Sequence, residues 1–104
     1  MNTSFGQAHA VVKRLLREVP GLEACTIATV VVAPAPEGID CSVHASAWLL
    51  TIEALRQFVA LVGPITLDAR LSSARNAILW GRLDGVTVRI DTDRELAEKA
   101  TRAA

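Results

Sequence analysis

Asp84-Gly85, set between the apolar runs Ile78–Leu83 and Val86–Ile90, constrains this chain more than any other pair of residues. A two-residue hairpin turn whose two central positions both take positive φ favours Asp-Gly, and such a turn leaves no freedom of register. Leu83 then pairs with Val86, Gly81 with Val88, Trp80 with Arg89 and Leu79 with Ile90. Side chains alternate across a sheet, so Leu79, Gly81, Leu83, Val86, Val88 and Ile90 share one face. The preceding segment Ile65–Leu71 also alternates and is predicted to be a third strand, adding Leu67, Ala69 and Leu71 to that core face. The opposite face would carry Thr66, Asp68, Arg70, Ile78, Trp80, Arg82, Thr87 and Arg89.

Upstream of this meander, Phe5, Ala8, Val11 or Val12, Leu15, Leu16 and Val19 recur every three or four residues, which predicts a helix capped by Thr3 or Ser4 and stopped by Pro20-Gly21. The β-branched run Cys25–Ala33 predicts a strand, and its near-continuous apolarity predicts that both of its faces are covered. Pro34–Gly38 breaks it. Asp40–Ser46 alternates, with Cys41, Val43 and Ala45 on one side and Asp40, Ser42, His44 and Ser46 on a wet side. Thr51 is placed to cap a second helix, Ile52–Val62, closed by Gly63. Trp48, Leu49 and Leu50 lead into that helix and are expected beneath it. Thr92 with Glu95 reads as a capping box for a short last helix over residues 93–103.

The order is therefore α-β-β-α-β-β-β-α. The expected fold class is α+β: a two-layer sandwich in which a mainly antiparallel sheet of about five strands packs against helices. With 104 residues, 51 % of them hydrophobic and 21 % charged, residues 1–104 are expected to form one domain around one core. Local pattern leaves open the strand order, and whether the two hairpins share a sheet.

The charge balance is neutral, with 11 basic and 11 acidic side chains. A neutral chain lacks the broad positive field that usually accompanies nucleic-acid binding. Only Lys13 and Lys99 are lysines; the other basic residues are Arg, and with the abundant Ala this points to a GC-rich bacterial or phage genome. Residues 1–10 lack the charged start and apolar block of a signal peptide, and the most apolar stretch, residues 27–35, is too short to span a bilayer. The cytosol is the expected location, with no membrane partner.

Chemistry-bearing residues do not assemble into a recognisable site. Cys41 and His44, three apart on a strand, point to opposite faces, and Cys25 and His9 lie on other elements, so a zinc site is not expected. Cys41 falls opposite Val32 in the hairpin, with Cys25 near its far end, beyond disulfide reach. The same parity removes a Cys41–His44 dyad. Asp40, Ser42 and His44 share a face, but without a sharp nucleophile turn or oxyanion donors they read as a solvated strand. Asp91 and Asp93 suit a helix N-terminus, and the glycines are scattered as caps and turns. No catalytic residue, metal or cofactor is assigned.

One constellation remains: Ile78, Trp80, Arg70, Arg82 and Arg89, with Asp68 beside them to neutralise one arginine. Trp and Arg are enriched in interface cores. Three outcomes are possible for this face. The C-terminal helix or another part of the chain covers it; the protein self-associates through it; or it binds a nucleic acid, with Trp80 as a stacking platform and Arg70, Arg75, Arg82 and Arg89 around it. The sequence favours a non-catalytic interaction module forming a homodimer over an accessory nucleic-acid binder. A small-molecule carrier or enzyme with a pocket between helix and sheet comes last.

Overall fold

The computed structural model describes residues 3–23, 26–48, 50–63, 65–70 and 72–102. Its elements are α1 (Phe5–Glu18), β1 (Thr26–Ala35), β2 (Gly38–Ala47), α2 (Ile52–Val62), β3 (Thr66–Leu67), β4 (Asn76–Leu83), β5 (Val86–Asp93) and α3 (Arg94–Thr101), with one 3-10 turn at Pro20–Leu22. The five strands form one sheet in the order β1-β2-β5-β4-β3. The two hairpins are joined by β2 and β5, which run parallel with His44 beside Arg89; the other pairings are antiparallel. The fold is thus α+β with a mixed, mostly antiparallel sheet in the expected element order.

Local signals act where sequence spacing places them. Ser4 caps α1, its side chain accepting from Gln7 N–H while Gln7 answers at the Ser4 N–H. Thr51 caps α2 by accepting from Ala54 N–H at 3.1 Å. At the β4–β5 turn Asp84 has φ 51° and Gly85 φ 79°, and the register follows as the turn requires, Leu83 with Val86 and Trp80 with Arg89.

All three helices lie on one face of the sheet. Ala8, Val11 and Leu15 of α1, Leu55, Phe58 and Val62 of α2, and Ala97 and Ala100 of α3 share a single core with Val43, Ala45, Leu79, Val88 and Ile90. Gly81 lets α2 approach: a Cβ there would collide with Val62 Cγ1 and stand 2.9 Å from Ile65 Cδ1.

Four expectations are corrected. β1 is not covered on both faces; it is the outermost strand, and Ile27 is 74 % and Val32 50 % exposed. A continuous apolar run looks the same in a sequence whether helices or a partner cover it. β3 is two residues long, because Asp68 accepts from Arg70 N–H at 3.0 Å and its carbonyl takes Ser72 N–H, turning the chain away from the sheet. Leu67 (41 % exposed) and Ala69 therefore lie outside the core, and Leu71 is outside the described residues. Asp93 rather than Thr92 caps α3; Thr92 is fully buried on β5 and donates to the Ala47 carbonyl at 2.9 Å. Trp48 is exposed rather than packed beneath α2, whereas Leu50 is buried; Leu49 is outside the described residues.

Candidate functional site

The face of the sheet away from the helices bears a row of side chains crossing all five strands: Thr29, His44, Arg89, Trp80 and Thr66, each beside the next in register. Two consecutive pairings bring the aromatic and charged groups into contact. Arg89 lies with its guanidinium carbon 5.6 Å from the Trp80 ring centre, and His44 meets the same ring edge-on at 5.6 Å. The indole N–H donates to Asp68 Oδ2 at 2.9 Å. Trp80 is half-buried, held from three directions by groups on β2, β5 and the turn after β3.

Charges on this face are largely satisfied within it. Arg89 makes two hydrogen bonds to Asp91, at 2.8 and 3.1 Å, which with the charges of Asp91 and Asp68 raise its pKa further above an already high value, against the cost of burial. Burial first and the positive Arg89 second hold the His44 imidazole below its ordinary pKa, with Asp91 opposing. Arg82 donates to the Gly85 carbonyl at 2.7 Å and so folds toward the β4–β5 turn. Arg70 sits on the exposed turn after Asp68, and Arg75 on an exposed turn before β4. Ile78, expected to be exposed, is only 7 % accessible. The returning segment 68–72 binds both of its backbone groups: its N–H donates to Ser72 Oγ, and its carbonyl accepts from Asp68 N–H.

The structure therefore brings Trp80, Arg89 and Asp68 together, turns Arg82 toward the β4–β5 turn, and leaves Arg70 exposed on the turn after β3. It also adds two residues that sequence reasoning left out of the cluster, His44 and Asp91. The alternation of β2 placed His44 on a wet face; only the parallel β2–β5 pairing sets it against Trp80.

Hydrolytic and metal chemistry find little to work with. Ser42 Oγ lies 3.3 Å from His44 Nε2, but Asp40 accepts from Thr3 N–H at 2.8 Å and both oxygens of Asp91 are bound by Arg89. The carboxylates that a triad would draw on are engaged elsewhere. Cys41 is buried opposite Val32 on the core face while His44 is on the other; Cys25 is outside the described residues. Among the described residues no three His, Cys, Asp or Glu side chains form a metal-sized cluster. A depression of about 300 Å³ between β5 and the helices is lined by Leu50, Thr92, Asp93 and Leu96. Its polar groups already serve the fold, Thr92 to Ala47 and Asp93 to Leu96 N–H. Among the described residues no helix is long and apolar enough to cross a membrane.

Against protein-family models, curated proteins and solved structures, the chain gives no match.

Proposed function

We propose that this chain is a non-catalytic interaction module of the cytosol that forms a homodimer through the outer sheet face around Trp80. The observation that carries this reading is the one-sided packing of the molecule. Three helices cover one face of the sheet, and on the other Trp80 stands half-buried in a frame of His44, Arg89 and Asp68. The C-terminal helix, the nearest candidate to cover that face, shares the core with α2 instead. A rigid Trp with Arg beside it is the kind of anchor on which interfaces concentrate their energy.

Recognition of nucleic acid by Arg70, Arg82 and Arg89 is the weaker reading. Arg89 is neutralised by Asp91 and Arg82 is bonded to backbone, so a phosphate would have to displace partners already in place.

Light scattering after size exclusion, at low and high salt, tests the proposal. The wild type is expected at twice 11.1 kDa or a higher multiple, insensitive to salt. Trp80→Glu is expected to stay folded and lose this step of association. A Trp80→Glu protein that is folded and has the same mass as wild type refutes it.

A further inference from the structure

We infer that the free edge of β1 is a second docking surface, and that its occupant is β1 of another copy of this chain, paired antiparallel into a continuous ten-stranded sheet. This goes beyond the outer-face reading and uses a different surface. An added strand extends the sheet sideways and leaves the Trp80 face open.

The hydrogen-bonding parity of β1 follows from one residue. Pro34 has no N–H, yet the β1–β2 ladder runs past it to Ala35↔Gly38. Pro34↔Ile39 must then be a non-hydrogen-bonded pair, and the bonded pairs to β2 are Ala33, Val31, Thr29 and Ile27. Cys41 agrees from the other strand: it lies opposite Val32, and its N–H turns away from β1 to donate to the Thr3 carbonyl at 2.9 Å. The N–H and C=O groups of Ala28, Val30 and Val32 are therefore directed at the open edge, where β1 ends the sheet.

Most of that edge lacks the usual protection. Thr26–Ala35 is ten residues long and carries no charge, and its ladder to β2 has no bulge; natural edges are commonly short, bulged, charged or broken by proline, and here Pro34 blocks one position next to the end of the strand. Of the exposed large apolar residues, Ile27 and Val32 are on β1 itself, Ile39 pairs with its Pro34, and Phe5 is on α1. Arg14 on α1 reaches Asp84 at the β4–β5 turn. Val12 and Leu16, two residues either side of Arg14, lie about 200° round the helix from it, and Phe5 about 180°. This apolar flank of α1 faces the β1 side.

A second copy fits better than a foreign strand because the surface is self-complementary about a two-fold axis at Val30. Ala28 then bonds Val32 of the other copy, Val30 bonds its own equivalent, and Thr26 N–H meets the Pro34 carbonyl, so the missing proline donor falls at the rim. With no charge on β1, no like charges meet, and the apolar flanks of two α1 helices come alongside one another.

The full chain serves for the test. Ala28→Pro removes an edge-directed N–H while leaving the β1–β2 ladder intact, as Pro34 already does; Val32→Lys places a charge at the half-exposed edge position. Amide exchange followed by NMR is expected to show Ala28, Val30 and Val32 protected in the wild type. In Ala28→Pro, Val30 and Val32 are expected to lose that protection by at least ten-fold as the mass seen by light scattering halves. If Ala28→Pro does not fold, Val32→Lys must give the same pair of changes. Fast exchange at these amides in the wild type, or a folded variant that keeps both mass and protection, overturns the inference. So does a monomeric wild type, which leaves the edge to a strand from another protein. Loss of association in Trp80→Glu but not in Ala28→Pro overturns the edge and keeps the face; the reverse overturns the face and keeps the edge.

Discussion

β1 and β5 are both rich in Val, Ile and Thr, yet they occupy opposite situations. β5 lies in the middle of the sheet between β2 and β4, with Val86, Val88, Ile90 and Thr92 fully buried or nearly so, and it still carries Arg89 and Asp91. β1 carries no charge at all and lies at the rim, with Ile27 and Val32 exposed. Charge on a strand is thus no sign of the edge, nor apolarity of the centre. A central strand tolerates an ion pair because one face of this sheet is bare and the pair neutralises itself there. The helices above β1 account for the apolarity of Val30, which packs against the core, and leave that of Ile27 and Val32 uncovered.

The largest expected effect tests this contrast directly. Ile90→Ala removes three carbons from a site closed on all sides and is expected to lower stability by about 2–5 kcal/mol. Ile27→Ala, at 74 % exposure, is expected to change it by no more than about 0.5 kcal/mol. Urea denaturation of both variants gives the comparison; equal losses would mean that β1 is as enclosed as β5.

Adding a methyl group should show the same asymmetry on a smaller scale. Gly81→Ala crowds Val62 and Ile65 under α2 and is expected to cost about 1–3 kcal/mol. Ala28→Val, on the exposed β1 edge, is expected to leave the stability of the single subunit within about 0.5 kcal/mol of wild type. Thermal melts at low protein concentration read both.

The smallest effect concerns the row that links the two regions. Folding lowers the His44 pKa, by burial and then by Arg89. The unfolded chain therefore takes up a proton first as pH falls, so stability present above the ordinary histidine pKa of about 6.5 is lost below it. Comparing wild type with His44→Gln between pH 7.5 and 5.5 should show the wild type losing stability more steeply. Parallel pH profiles would show that Arg89 and burial do not act on His44 as placed.

Elements with a local cause were legible in the sequence. The Asp84-Gly85 turn dictated the β4–β5 register, Thr51 and Gly63 bracket α2, and the element order and α+β class follow from alternation and helical spacing. Half of the candidate site was legible too, since Trp80 and Arg89 are brought together by that turn alone. The other half depends on distant neighbours. Ile65–Leu71 alternates as a strand would, but Asp68 and the Ser72 amide bend it off after Leu67 and fold it back against Ile78. A competing side-chain turn leaves no trace in hydrophobic period.

What the sequence determined by itself is what short-range chemistry determines: the caps of α1 and α2, the Asp84-Gly85 turn, the side-chain parity of β2, β4 and β5, and the absence of charge from β1. Tertiary structure alone decided that the two hairpins join through a parallel β2–β5 pairing, that all the helices fall on one face, and that β1 is left at the rim. The physical reason is range. A turn or a cap is closed by residues two to four apart, whereas the neighbour of a strand is chosen by the burial of the whole core, to which no local window has access.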